Sequence, residues 1–207
     1  MLEVLAFLGV TVFISLSGVM MPGPVFAAAL AKGEENRFAG SLISVGHGIV
    51  EFPLIAIIAL GMSWFITARE FRIAVGIIGG AVLLYMGVGV IRDILKRKEE
   101  KVEDNPFPYP PVLLGIITTA TNPYFLLWWA TAGAALVMLA MSYGIVVLVV
   151  FSIVHWSCDF IWYTFLSFSA GKMSEYPRVS RYIMLVSGAI MAVFGAWFVV
   201  SSAGLLY

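Results

Sequence analysis

The sequence predicts an all-α membrane protein with six transmembrane helices, arranged as an inverted 3+3 repeat. Hydrophobic residues make up 61% of the chain and charged residues only 12%, whereas soluble domains are about half apolar and about a quarter charged. Six apolar stretches reach the roughly 20 residues that a helix needs to cross a bilayer. A short histidine–acid signature also occurs twice, which indicates that the two halves arose by duplication.

The apolar stretches are joined by short polar segments, with one longer exception. They cover residues 4–30, 39–65, 73–91, 112–138, 144–168 and 182–205. The exception, 93–111, carries a charged run and then four prolines, so it is the predicted cytoplasmic linker between a first three-helix repeat (1–92) and a second (112–207). Because three is an odd number of spans, the second repeat inserts in the opposite orientation, as in many transporters.

The basic residues predict the orientation. If the N-terminus lies outside, ten of the 12 Lys and Arg residues fall in cytoplasmic segments, as the positive-inside rule requires. The first apolar run has no basic region before it, so we expect it to be retained as a span. The expected location is the cell (inner) membrane, with both termini outside.

The duplicated signature contains the two histidines of the chain. His47-x-x-x-Glu51 and His155-x-x-x-Asp159 lie 108 residues apart, and each pair shares one helix face because its members are four residues apart. An acid at the centre of a spanning helix costs about 2.5–3.5 kcal/mol, so such residues indicate function. His47, Glu51, His155 and Asp159 are therefore the predicted proton-coupling residues. The alternative is that the pairs only hold helices together.

The same offset links two glycine-containing stretches. Gly80-Ala81 is followed by Gly87, and Gly188-Ala189 is followed by Gly195, again 108 residues later. The repeat therefore extends into the third span of each half.

Two spans are predicted to be broken at prolines. Pro22-Gly23-Pro24 interrupts the first and Asn122-Pro123 the fourth; proline lacks the N–H that a helix needs. Breaks at corresponding places in two halves indicate a binding site, and the free N–H groups at a half-helix start suit an anion. Ordinary proline kinks are the alternative. The predicted substrate-binding residues are Pro22, Gly23, Pro24, Glu51, Asn122, Pro123 and Asp159.

These motifs resemble those of the lysine exporter (LysE) type translocator family, which includes homoserine, threonine and leucine exporters. The resemblance rests on Met21-Pro22-Gly23-Pro24, Gly46-His47, Thr121-Asn122-Pro123 and Asp159-x-x-Trp162-Tyr163. It implies export of amino acids or similar small solutes, driven by an ion gradient. Members often carry Ser or Thr before Pro-Gly-Pro and Asn or Asp after it, whereas this chain has Met21 and Val25, so the resemblance does not fix the substrate.

The predicted function is a secondary transporter that exports amino acids or similar zwitterionic solutes by proton-coupled alternating access. The substrate carboxylate is expected at the half-helix starts, with Asn122 donating, and its ammonium at Glu51 and Asp159. His47 and His155 are expected to carry the coupling protons, since an unperturbed imidazole titrates near ~6.5. The predicted partners are the amino acid, H⁺ and the lipid bilayer.

Three other functions have less support in the sequence. Two histidines and two carboxylates form a plausible ligand set for a divalent metal cation, so a metal exporter using His47, Glu51, His155 and Asp159 is the alternative. A membrane scaffold without transport activity is the third. An enzyme is not expected, because there is no Ser-centred elbow and no His-Glu-x-x-His.

No cofactor is predicted, and zero net charge gives no reason to expect nucleic acid. The sequence does not determine the oligomeric state, and a homodimer is one of the states that it allows.

Overall fold

A computed structural model describes residues 1–62, 68–96, 107–173 and 177–204, and this part of the chain contains helices and no strand. The helices are α1 (Leu2–Val19), α2 (Pro24–Glu35), α3 (Ala39–Ile57), α4 (Arg69–Lys96), α5 (Pro111–Ala120), α6 (Pro123–Trp128), α7 (Ala134–Ser142), α8 (Ile145–Met173) and α9 (Pro177–Ser202). A π-helical turn at Ile58–Met62 continues α3, and another at Trp129–Gly133 joins α6 to α7.

Six helical segments are long and apolar enough to cross a membrane, which confirms the predicted fold class. They are Leu2–Val19, Ala39–Gly61, Arg69–Arg92, Pro123–Ser142, Ile145–Ala170 and Met184–Ser202. The predicted linker 93–111 is described only at its ends: α4 continues to Lys96, α5 begins at Pro111, and residues 97–106 lie outside the described residues. The division into domains stays a prediction.

The helices change at both proline positions. α1 ends at Val19 and α2 begins at Pro24, while α5 ends at Ala120 and α6 begins at Pro123. The 12 residues of α2 and the 10 of α5 reach only about 18 and 15 Å at roughly 1.5 Å per residue. α2 and α5 are therefore too short to cross a membrane on their own, and both lie outside the six spanning segments. The predicted first and fourth spans had included them. That each pair of helices shares one broken span stays a prediction.

The two duplicated glycine stretches face each other. A Cβ on Gly80 would lie 2.9 Å from the Gly195 carbonyl oxygen, and one on Gly188 would lie 3.1 Å from the Gly87 oxygen. Small residues let helix backbones approach closely, so α4 and α9 pack in antiparallel fashion along this seam. Exchanging the two halves converts the first contact into the second. This symmetry supports the inverted repeat, which itself stays a prediction.

Helices α3 and α8 also cross in antiparallel fashion, and this crossing positions the duplicated signatures. Trp156 Nε1 donates to the Ser44 carbonyl oxygen at 2.9 Å, and Ser44 Oγ donates to the Asp159 carbonyl oxygen at 3.3 Å. Gly40 packs directly on the backbone of Tyr163, where any Cβ would clash. A side chain at position 40 would force the helices apart.

Two hydrophobic clusters lie at opposite ends of this crossing. One contains Ile43 of α3 and Leu166 of α8; the other contains Leu54 of α3 and Phe151 of α8. Along both helices, the histidine–acid signatures fall between the residues that join these clusters. The ionisable groups therefore lie at a level between two apolar layers.

Candidate functional site

The two histidine–acid pairs meet as one buried cluster. His47 Nε2 and His155 Nε2 each lie 3.1 Å from the same carboxylate oxygen, Glu51 Oε1. Asp159 is farther away: its Oδ1 lies 3.7 Å from His47 Nε2 and its Oδ2 lies 3.9 Å from His155 Nε2. Glu51 is 0% exposed, Asp159 and His155 3%, and His47 5%. Glu51 thus links the two halves, and the cluster is not symmetrical around the two acids.

The second nitrogen of each histidine contacts a hydroxyl group from the other half of the chain. Ser15 Oγ of α1 lies 2.6 Å from His155 Nδ1, and Thr119 Oγ1 of α5 lies 2.9 Å from His47 Nδ1. A hydroxyl both donates and accepts. It can donate to the bare nitrogen of a neutral imidazole or accept from the N–H of a charged one. These contacts are therefore compatible with both protonation states of each ring.

Ser15 was not among the predicted site residues. Thr11 and Ser15 are four residues apart on α1 and both are 0% exposed, so they share one buried face of this largely apolar helix. That spacing was the signal in the sequence that could have identified this side of the site. Thr11 Oγ1 is buried without a hydrogen-bond partner among the described residues.

Two carboxylate oxygens in the cluster have no hydrogen-bond partner in the described part of the chain. Glu51 Oε2 and Asp159 Oδ2 are both fully shielded from solvent. Most buried polar atoms in proteins are hydrogen-bonded, and exceptions call for an explanation. A water molecule, a proton, an ammonium group or a metal cation bound at the cluster would give such oxygens a partner.

The cluster forms part of the wall of a cavity of about 50 Å³. Aromatic side chains complete that wall. The Trp128 ring stacks on the His155 ring with centroids 5.1 Å apart, and the Phe125 ring meets the His47 ring edge-on at 5.3 Å. Trp129, which is 1% exposed, meets His155 edge-on from another side. These rings were also absent from the predicted site, because aromatic residues in a spanning helix usually serve packing or the interface.

The predicted proline-break residues lie partly at this cavity. Asn122 lines it; its Oδ1 accepts from the Tyr124 N–H at 3.1 Å, which leaves the Nδ2 donors for a ligand. Pro22, Gly23 and Pro24 line a neighbouring cavity of about 40 Å³ instead. Pro123 is buried at the start of α6 and lines neither cavity.

Three of the ionisable groups also have the spacing of metal ligands. One ligand atom each from His47, Glu51 and Asp159 lie within 4.8 Å of one another. The cluster can therefore hold protons, an organic ammonium group or a divalent cation, since all three are attracted by two buried carboxylates.

Comparison with known proteins identifies the family to which the chain belongs. The "Putative amino acid efflux protein YcgF" of Bacillus subtilis (strain 168) is 24% identical over 181 residues, a match that covers 85% of this chain and 87% of that protein. No solved structure matches the chain. The family model of the LysE type translocators matches residues 16–202, which includes both histidine–acid pairs and both proline positions. The chain belongs to the LysE type translocator family, whose members are membrane transporters and not enzymes.

Proposed function

We propose that this multi-pass membrane exporter moves amino acids or similar small zwitterionic solutes, and that it exchanges them for protons by alternating access. The observation that carries the proposal is the buried cluster in which two histidines share Glu51 Oε1 while Glu51 Oε2 and Asp159 Oδ2 remain unpartnered. The name of the similar Bacillus protein, "Putative amino acid efflux protein YcgF", supports the same substrate class.

The two unpartnered carboxylate oxygens are the proposed site for the substrate ammonium. An ammonium group has three N–H donors, as the lysine side chain illustrates, and hydrogen bonds to charged groups contribute about 1.5–3 kcal/mol each. Binding the ammonium would satisfy Glu51 Oε2 and Asp159 Oδ2 without disturbing the bonds between Glu51 Oε1 and the histidines.

The substrate carboxylate is proposed to bind where Asn122 and the start of α2 approach the cavity. Gly23 is the N-cap of α2 and no side chain caps that helix. The first N–H groups of a helix have no acceptor within it, and the helix dipole favours an anion there. Val25, in the first turn of α2, lines the same cavity as Asn122, which supports placing the substrate carboxylate between them.

His47 and His155 are proposed to carry the coupling protons. Histidine is the side chain whose ordinary pKa, near ~6.5, allows it to change charge near neutral pH. Ser15 and Thr119 maintain a contact with Nδ1 in either state. A proton at Nδ1 would add positive charge beside the carboxylates and so weaken their hold on the ammonium. Proton loading and substrate loading would then exclude each other, as an antiporter requires.

The small size of the site supports alternating access. Its cavity of about 50 Å³ is well below the roughly 300–1,000 Å³ of typical small-molecule pockets. An amino acid therefore enters only if the surrounding helices separate. The antiparallel seam between α4 and α9 and the crossing of α3 and α8 are surfaces on which two repeats could rock.

A divalent cation is the second candidate cargo, because ligand atoms of His47, Glu51 and Asp159 lie within 4.8 Å of one another. Histidine ligands usually hold their second nitrogen in a hydrogen bond, as the contact with Thr119 allows. This candidate predicts that the purified protein binds about one Zn²⁺ per chain and that His47→Ala eliminates the binding.

Counterflow in proteoliposomes tests the proposal against this alternative. Vesicles loaded with an unlabelled amino acid should accumulate the labelled one, and a substrate with its carboxylate amidated should not compete. Glu51→Gln should reduce counterflow, and Glu3→Gln, which removes an exposed acid at the start of α1, is its control and should not. Metal binding without competition by any amino acid would replace the amino acid proposal with the metal one.

A further inference from the structure

A second cavity adjoins the ionisable one and extends away from it. Its volume is about 40 Å³, and the two cavities have five wall residues in common: Gly18, Val25, Asn122, Tyr124 and Tyr163. A ligand whose charged groups lie at Glu51 and Asn122 would therefore direct its remaining atoms toward this second cavity.

The far wall of the second cavity is apolar. It is formed by Leu83 of α4, by Phe26 of α2 and by Ile190, Met191, Phe194 and Phe198 of α9. No charged side chain lines it among the described residues. Phe26 and Phe194 also pack against the hydrophobic cluster that contains Leu83 and Met191, so this wall is continuous with the apolar core.

We infer that the substrates are amino acids with large apolar side chains, and that the second cavity holds that side chain. The inference rests on the proposed function and deepens it. Burying apolar surface is favourable, so a leucine or methionine side chain would bind well here. A lysine or glutamate side chain would place a charge against these residues of α4 and α9, which offer no counter-charge. The start of α2 on the same cavity is occupied by the substrate carboxylate in the proposed binding mode, so it cannot serve a side-chain carboxylate, and burying an unpaired charge is costly.

The first test is the substrate profile of the wild-type protein in counterflow. Unlabelled leucine and methionine should compete best, alanine and threonine less well, and lysine and glutamate least. If lysine, glutamate or threonine competes better than leucine, the inference is wrong while amino acid transport stands. If no amino acid competes, the proposed function fails and the inference fails with it.

The second test fills the cavity from its wall. Ile190→Phe adds bulk on the cavity side of α9, whereas Val193→Phe adds the same group on the same helix at a position that is 67% exposed. A single methylene in an apolar pocket changes discrimination by roughly 10–200-fold. Ile190→Phe should therefore raise the KM for leucine about tenfold relative to that for alanine, and Val193→Phe should leave this ratio unchanged.

A variant that enlarges the cavity covers the case in which Ile190→Phe does not fold. Phe194→Ala removes a ring from the wall and should improve competition by tryptophan relative to leucine. Alanine exchange in the same vesicles shows that each variant is folded. An unchanged leucine-to-alanine ratio in Ile190→Phe, or an unchanged tryptophan-to-leucine ratio in a Phe194→Ala variant that exchanges alanine, would show that the side chain does not occupy this cavity.

Discussion

Replacing Glu51 with glutamine should destabilise the protein more than replacing Asp159 with asparagine. Glu51 Oε1 lies 3.1 Å from both histidine Nε2 atoms, whereas the Asp159 oxygens lie 3.7 and 3.9 Å from them. Hydrogen bonds to charged groups contribute about 1.5–3 kcal/mol and neutral ones about 0.5–1.5 kcal/mol. Neutralising Glu51 weakens two such bonds, so the expected loss is about 2–3 kcal/mol. Asp159→Asn weakens longer contacts and should cost less.

Thermal unfolding of the purified protein measures this difference. For chains of 150–250 residues, 1 kcal/mol shifts Tm by about 2–4 °C, so Glu51→Gln should lower Tm by roughly 4–12 °C. Glu3→Gln, at an exposed position, is the control and should remain within about 0.5 kcal/mol of wild type. A Glu51→Gln protein as stable as wild type, or a larger loss in Asp159→Asn, would show that Glu51 is not the acceptor that joins the histidines.

Three further predictions concern the surroundings of the cluster and the orientation of the chain. Pro24→Ala restores a backbone N–H at the start of α2 and should reduce export roughly tenfold or more in folded protein, because a shift of about 1 Å at a binding site can cost 10²-fold; full export would make the proline an ordinary kink. Ser15→Ala should lower the free energy of unfolding by about 1–3 kcal/mol, since it leaves the buried Nδ1 of His155 without a partner. Ser17→Ala, at an exposed position, should not lower it in the same thermal unfolding assay, and equal losses would refute the role of the Ser15 hydroxyl. In a cysteine-free background, an impermeant maleimide added to whole cells should label a cysteine at Ser142 and spare one at Asn36; the reverse would overturn the predicted orientation.

The sequence was sufficient to find the ionisable residues of the candidate site. Glu51 and Asp159 stand out because an acid inside an apolar span is costly, and the 108-residue offset marks the two as equivalent. The sharing of one oxygen, Glu51 Oε1, could not be predicted. It depends on how closely α3 and α8 cross, which Gly40 permits through its contact with Tyr163.

Ser15 illustrates a second limit of the sequence. Serine in an apolar helix often bonds its own backbone, as Ser17 does through the Ile14 carbonyl oxygen at 2.6 Å. The four-residue spacing of Thr11 and Ser15 indicates a polar face on α1, but only the packing of α1 against α8 shows that the Ser15 hydroxyl contacts His155. The boundary of the first span was also beyond the sequence, because residues 25–30 after the prolines are as apolar as those before them.

The coupling of export to a proton gradient is the central claim, and uptake into inverted membrane vesicles with an acidic lumen tests it most directly. Export from the cell corresponds to uptake by these vesicles. The wild-type protein should accumulate labelled leucine above the level that equilibrium exchange reaches, and this accumulation should stop when a protonophore removes the gradient. Glu51→Gln and Asp159→Asn should lose gradient-driven uptake, which needs the proton-loaded carrier to return. They should keep a reduced exchange, because the amide oxygen that replaces each carboxylate still accepts from the ammonium and exchange needs only the loaded carrier to reorient. Wild-type uptake that persists with the protonophore, or full gradient-driven uptake by both variants, would contradict the account.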